Sequence, residues 1–288
     1  MNKIPVIGAP VVRNPEWIRR QIESVDYPVE NYIIFNNNGK GEIDEELDKL
    51  VAEPHKFIDQ IRVCHLPANI GTSGAWNLII KSFMLAPYWI IANDDVSFAE
   101  GFLQEMNEKA QDDEVGMIHG YEGDFQGLGS WNLFLIKDWV IQQVGLFDEN
   151  MYPAYCEDTD YCLRILHLER SGKGIKRIMN LDTPYYHGRP PDATGLEGSS
   201  KGIPEEYYNY GMMTSQGDDE LRQKLEFANF TNFEYMEKKW GPWWRTMWGW
   251  DDGPFGSIQE KDETQEGKYP LSYTTYDLGF VRKKHTGF

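Results

Sequence analysis

The sequence predicts an α/β fold: a mostly parallel central sheet flanked by helices, followed by a helical, tryptophan-rich C-terminal extension. Three observations predict it. Apolar runs of strand length alternate with amphipathic helical stretches as far as about residue 115, the pattern of strand–crossover–strand units. Those runs are apolar throughout rather than at every second residue, as in strands covered on both faces. Finally, five of the ten tryptophans fall within residues 240–250, after the alternation has ended.

In chain order, residues 4–12 read as a first strand, interrupted by Gly8 and Pro10. Asn14-Pro15 starts a helix, a capping residue followed by a proline that needs no amide partner. Tyr27-Pro28 ends that helix, and residues 32–35 form a second strand running into Asn36-Asn37-Asn38-Gly39. An acidic helix over 42–52 and a strand over 61–66 follow. Asn69-Ile70-Gly71-Thr72-Ser73-Gly74 then opens a helix whose Trp76, Ile79, Ile80, Phe83 and Met84 share one face. Ala86-Pro87 stops it before Tyr88-Trp89-Ile90-Ile91-Ala92, a buried strand that runs straight into Asn93-Asp94-Asp95. Phe98, Phe102, Leu103 and Met106 mark another helix. Beyond it the spacing predicts a strand at 115–119, a polar glycine-rich loop at 120–129, a strand at 131–136 and a helix at 138–144. Glu157-Asp158-Thr159-Asp160 opens a helix to about Arg170, and a last strand at 175–182 precedes His187. Residues 1–190 thus form the main domain, 191–203 a linker or mobile loop, and 204–288 the extension, with a helix from Asp218 or Asp219 to Gly241-Pro242.

The net charge of −18 argues against a nucleic-acid partner, which would need a basic face. Residues 201–288 hold 11 basic and 15 acidic side chains, so most of the excess lies in the first 200. Three cysteines without metal-type spacing suggest reduced thiols. No apolar run reaches the roughly 18 residues of a membrane span, and the N-terminal apolar stretch is too short for a secretory signal; a cytoplasmic location is expected.

Four features could carry chemistry, and each has a structural alternative. Asn93-Asp94-Asp95 sits at a strand end, where ligands bind in open α/β sheets; it is either a solvated turn or a metal site. The glycine-rich helix start at Asn69, Gly71 and Gly74, continuing to Asn77, offers amides to an anion, although on these residues alone a plain capped turn is the favoured reading. Glu157, Asp158 and Asp160 either stabilise a helix N-terminus or face a cleft. His187, alone, is structural or a ligand.

In this order the pieces resemble the inverting glycosyltransferases of the GT-A fold, a Rossmann-like architecture, in the large family that includes rhamnosyltransferases. The likeness spans about residues 3–190, and the chain start and motif order also look like glycosyltransferase domains of large algal viruses. The resemblance implies a nucleotide diphosphate sugar donor, a glycan or other hydroxyl acceptor, and Mn²⁺ or Mg²⁺. It implies Asp95 as direct metal ligand, with His187 completing the shell, and Asp94 near the ribose or metal waters. It implies donor contacts from Ala9, Pro10, Val11 and Arg13, from Asn36, Asn37 and Asn38, from Asn69, Gly71, Gly74 and Asn77, and from Asn93 and Trp131. Asp158 matches the catalytic base, with Glu157 or Asp160 as alternatives that spacing alone leaves open.

Two other readings compete. A sugar-1-phosphate nucleotidyltransferase would need a glycine-rich basic loop after the first strand, whereas Ala9-Pro10-Val11-Val12-Arg13-Asn14-Pro15 has one basic residue. A non-catalytic glycan-binding or assembly protein would use the tryptophans as its surface. In an enzyme those tryptophans either line the acceptor site or pack as a clasp on the domain or in a homo-oligomer.

Overall fold

The computed structural model describes residues 2–120, 129–170, 172–187 and 219–240. Nine strands and seven helices follow in the order β1 (Ile4–Val11), α1 (Pro15–Glu23), β2 (Val29–Asn36), α2 (Asp44–Ala52), β3 (Ile58–His65), α3 (Gly71–Ser82), β4 (Tyr88–Ala92), β5 (Val96–Phe98), α4 (Phe102–Ala110), β6 (Val115–His119), β7 (Leu133–Lys137), α5 (Asp138–Val144), α6 (Glu157–Arg170), β8 (Lys176–Ile178), β9 (Tyr185–His187) and α7 (Asp219–Trp240). Seven strands form one sheet in the order β3-β2-β1-β4-β7-β6-β8, and β5 pairs with β9 in a second, two-stranded sheet. The large sheet is parallel except where β7 runs antiparallel to both β4 and β6.

Side chains of the central strands alternate between two cores. Ile4, Val29, Tyr32, Ile34, Ile90, Leu133 and Leu135 meet α1, α2 and α4 on one face. Val6, Ile33, Phe35, Trp89, Ile91, Phe134 and Ile136 meet α3, α5, α6 and α7 on the other. Both faces are covered, which is why the strands read as unbroken apolar runs. Gly8 allows α3 to lie close against β1, since a Cβ there would stand 2.4 Å from the Ile79 side chain.

Several elements differ from the sequence reading. Phe98 belongs to a strand rather than to the helix after it, because β5 pairs with β9, where Phe98 faces Tyr185, 87 residues later. The strand expected over 175–182 is three residues long, and β9 was not anticipated. Helix α3 ends at Ser82, and Met84, assigned to its apolar face, is 75% exposed. Asn14 stands at the start of α1 without a side-chain capping bond. The loop residues 121–128, the linker at 191–203 and Trp243, Trp244, Trp248 and Trp250 lie outside the described residues. Among those described, no helix is long and apolar enough to cross a membrane.

Candidate active site

The sheet reverses its order at β1, which has β2 on one side and β4 on the other. Such a switch point opens a crevice beyond the strands' carboxyl ends. Two segments converge there: the end of β1 leading to Arg13, and Asn93-Asp94-Asp95, which turns β4 into β5. Pairing of Val96 with His187 across the small sheet sets His187 beside Asp95, with Nε2 3.3 Å from Oδ2. Burial opposes charge on His187, but the charge of Asp95 and its hydrogen bond outweigh that and raise the imidazole pKa. The other Asp95 oxygen, Oδ1, is buried and has no hydrogen-bond partner among the described residues. Asp94 is 7% exposed. Its burial and the adjacent Asp95 charge drive its pKa well up, against backbone hydrogen bonds at Asp94, Asp95 and Val12.

The turn is rigidly braced. The Asn93 amide donates to the Asn132 carbonyl at 2.8 Å. Gln21 Nε2 donates to the carbonyls of Asn93 and Val96 at 2.8 and 2.9 Å, and Tyr32 donates its hydroxyl to Gln21 Oε1. Gln21 was not singled out from sequence. Its signal is there nonetheless: a glutamine between Ile18 and Ile22 on the inward stripe of α1, where an amide must find buried partners.

The buried Asp94 carboxylate, the partly buried Asp95 carboxylate and the imidazole in contact with it are hard and borderline donors that could hold a divalent ion. Among the described residues no three His, Cys, Asp or Glu side chains form a complete metal site. Ions of this class, however, commonly take one or two protein ligands and fill their shell with phosphate oxygens and water.

The β1 and β2 ends contribute mainly backbone and scaffold. Ala9 and Val11 are fully buried in the core, while Pro10 and Arg13 are partly exposed. Asn36 donates to Asp44 Oδ1 at 2.6 Å, and its own oxygen accepts from the Asn38 amide. Asn37 accepts from the Ile70 amide at 2.8 Å, and Asn38 donates to the Val12 carbonyl at 2.8 Å. The three asparagines therefore tie the β1, β2 and α3 loops together, and only Asn38 is not fully buried.

The start of α3 is a protein contact rather than an open anion cradle. Gly71 has φ +79°, and a Cβ there would stand 2.9 Å from the Pro153 carbonyl oxygen. Its amide donates to Asn69 Oδ1, and the Thr72 amide donates to Pro153 at 2.7 Å. The first amides of the helix are thus occupied. Gly74 is buried against Ile70. Asn77, expected to touch donor, is fully buried and instead clasps Phe147, donating to its carbonyl and accepting from its amide, both at 2.9 Å. Trp131 packs among Trp76, Phe134, Phe147 and Tyr161 with little of its surface exposed.

The three acids opening α6 separate by environment. Asp160 is fully buried and accepts from Arg164 Nε at 3.0 Å, Trp240 Nε1 at 2.8 Å and Lys239 Nζ at 2.7 Å. Burial would raise its pKa, but Lys239 and Arg164 reverse that and lower it. This carboxylate is an anchor, which removes it from the candidates for a base. Asp158 Oδ1 accepts the Thr159 amide at 2.6 Å, and burial raises its pKa despite those hydrogen bonds. Glu157 is buried at the first position of the helix.

Residues 8–145 match the family model described as Glycosyl transferase family 2. A Leishmania donovani protein named galactofuranosyl glycosyltransferase is 26% identical over 312 aligned residues, which cover 83% of this chain and 68% of the relative. Among solved structures, the mannosyltransferase PcManGT from Pyrobaculum calidifontis, in complex with GDP-Man and Mn²⁺, superposes with a TM-score of 0.53 at 13% identity. That match covers 67% of this chain and 59% of the archaeal one. S. aureus TarS in complex with UDP-GlcNAc gives a TM-score of 0.47 at 13% identity over 73% of this chain and 65% of that one.

Proposed function

We propose that this chain, a glycosyltransferase of the GT-A fold with a glycosyl transferase family 2 domain at residues 8–145, is metal-dependent and inverting. It moves a sugar from a nucleotide diphosphate sugar to an acceptor hydroxyl of a glycan. The observation that supports this best is the partly buried Asp95, whose buried Oδ1 has no hydrogen-bond partner among the described residues and whose Oδ2 lies 3.3 Å from His187, at the switch point of the sheet.

Asp95 and His187 would hold Mn²⁺ or Mg²⁺, which when bound supplies positive charge against the diphosphate leaving group. Asp94, held by the Val12 amide, lies on the β1 side of the turn, where a ribose hydroxyl can donate to it. Since the first α3 amides are occupied, donor contacts are assigned to the β1 end and the acidic turn rather than to that helix. In the transfer an acceptor oxygen attacks the anomeric carbon from the face opposite the departing diphosphate. The C–O bond to the diphosphate breaks as the new one forms, and the hydroxyl proton passes to Asp158. Burial raises the pKa of that carboxyl toward the working range, which suits a base.

The test is a screen of nucleotide sugars with Mn²⁺ for donor hydrolysis, including GDP-mannose, UDP-GlcNAc and a galactofuranosyl donor. Asp95→Asn should abolish metal-dependent binding of the nucleoside diphosphate by calorimetry. Asp158→Asn should keep that binding and lose transfer by about 10²–10⁴. Near-normal turnover of both variants would overturn the assignment, and no metal-dependent nucleotide binding by the parent chain would favour a non-catalytic module.

A further inference from the structure

Helix α7 lies beyond the family-matched residues, and its Asn232, Tyr235, Lys239 and Trp240 reach one segment of the main domain. Lys239 Nζ sits between two buried carboxylates, 2.7 Å from Asp148 Oδ2 and 2.7 Å from Asp160 Oδ1. Tyr235 donates to the same Asp148 oxygen at 3.0 Å, and Trp240 Nε1 reaches Asp160. With Arg164, the cluster balances two buried anions against two buried cations. With the site closed, loss of Lys239 would take the cation from Asp148 and leave Asp160 with Arg164, and a buried carboxylate stripped of its cation is costly.

One turn earlier on α7, Asn232 Nδ2 donates to the carbonyls of Ala154 and Tyr155 at 2.8 and 2.9 Å. Those carbonyls belong to the turn where Tyr155 and Cys156 both adopt left-handed backbone, φ 76° and 73°. Non-glycine residues hold that conformation only where surrounding contacts enforce it. The next two residues are Glu157 and Asp158.

We propose that Asn232, Lys239 and Trp240 are positioning residues for the transfer step: docked α7 holds the segment from Asp148 to Asp160 in the conformation that presents Asp158 to the acceptor. The extension then completes the catalytic centre on its acceptor side, while the donor half at Asp95 stands without it. This rests on the reading of Asp158 as base.

The test uses the full chain with Asn232→Ala, Trp240→Phe and Lys239→Arg, read by nucleoside diphosphate–Mn²⁺ calorimetry and by transfer or donor-hydrolysis kinetics. Asn232→Ala and Trp240→Phe should leave nucleotide binding and donor KM within twofold while kcat falls at least tenfold. Lys239→Arg, which keeps the charge, should recover most of the kcat that Lys239→Ala loses. Unchanged kcat in folded Asn232→Ala and Trp240→Phe overturns the proposal, as does a loss of nucleotide binding in proportion to kcat, which marks a general scaffold defect. If Asp158→Asn also turns over normally, the assignment of the base has failed instead; if only the α7 variants do, the positioning role alone has failed.

Discussion

At the scale of single residues, what separates Asp158 from Asp160 is not type or spacing but partners. Asp160 meets Arg164, Lys239 and Trp240, and its pKa is held down; Asp158, among the described residues, accepts hydrogen bonds from its neighbour Thr159, and burial leaves its pKa raised. Gln21 shows the same dependence on partners. Replacing it with Leu removes both donors from the Asn93 and Val96 carbonyls and orphans the Tyr32 hydroxyl. The expected loss is about 1–3 kcal/mol in urea unfolding, together with weaker Mn²⁺-dependent nucleotide binding. His119 supplies a pH signature. It is fully buried, its Nδ1 lies 2.9 Å from the Ser130 carbonyl, and burial lowers its pKa to about 4. The unfolded chain, with an ordinary histidine, takes up a proton first as pH falls. Stability present above about pH 6.5 should therefore decline toward pH 4, by up to about 3 kcal/mol from this one group. His119→Asn, which retains a donor for Ser130, should flatten that part of the unfolding profile; an unchanged slope would refute the attribution.

At the scale of elements, helix α3 is governed by how closely its start meets another loop. Gly71 combines φ +79° with a 2.9 Å approach of its missing Cβ to Pro153 O. At an unstrained site Gly→Ala stabilises by up to about 1 kcal/mol, but Gly71→Ala should destabilise by more than that, lowering the melting temperature by several degrees. The same contact explains why a glycine-rich helix start, read from sequence as an anion site, carries occupied amides. Strands β5 and β9 illustrate the opposite limit. Each is three residues long and too short to show a period, yet their pairing is what brings His187 to Asp95. The long elements were legible because covered strands are continuously apolar and surface helices repeat near 3.6 residues. These two were not, because only a partner far along the chain makes them strands.

At the scale of the whole molecule, α7 joins the main domain through charge as well as packing, with Met236 and Trp240 in the core beside α6 and Lys239 in the ion cluster. Lys239→Met should destabilise the fold by about 3–5 kcal/mol, since it strips the buried Asp148 of its cation and leaves Asp160 with Arg164; thermal melts against Lys239→Arg measure this. A melt shift no larger for Met than for Arg would argue against a charge-balancing role. The sequence by itself determined the α/β class, the order of β1 to β4 and the helices between them, and the acidic turn at the end of β4. Those follow from local periodicity and from which residues can end an element. It also carried the likeness that led to a glycosyltransferase. Only the tertiary structure decided which acid of the Glu157–Asp160 segment is an anchor, that His187 lies against Asp95, and that the extension braces the segment before Asp158. These depend on which side chains meet across tens of residues. Burial makes those meetings decisive: out of water, a carboxylate's behaviour is set by the few groups that touch it.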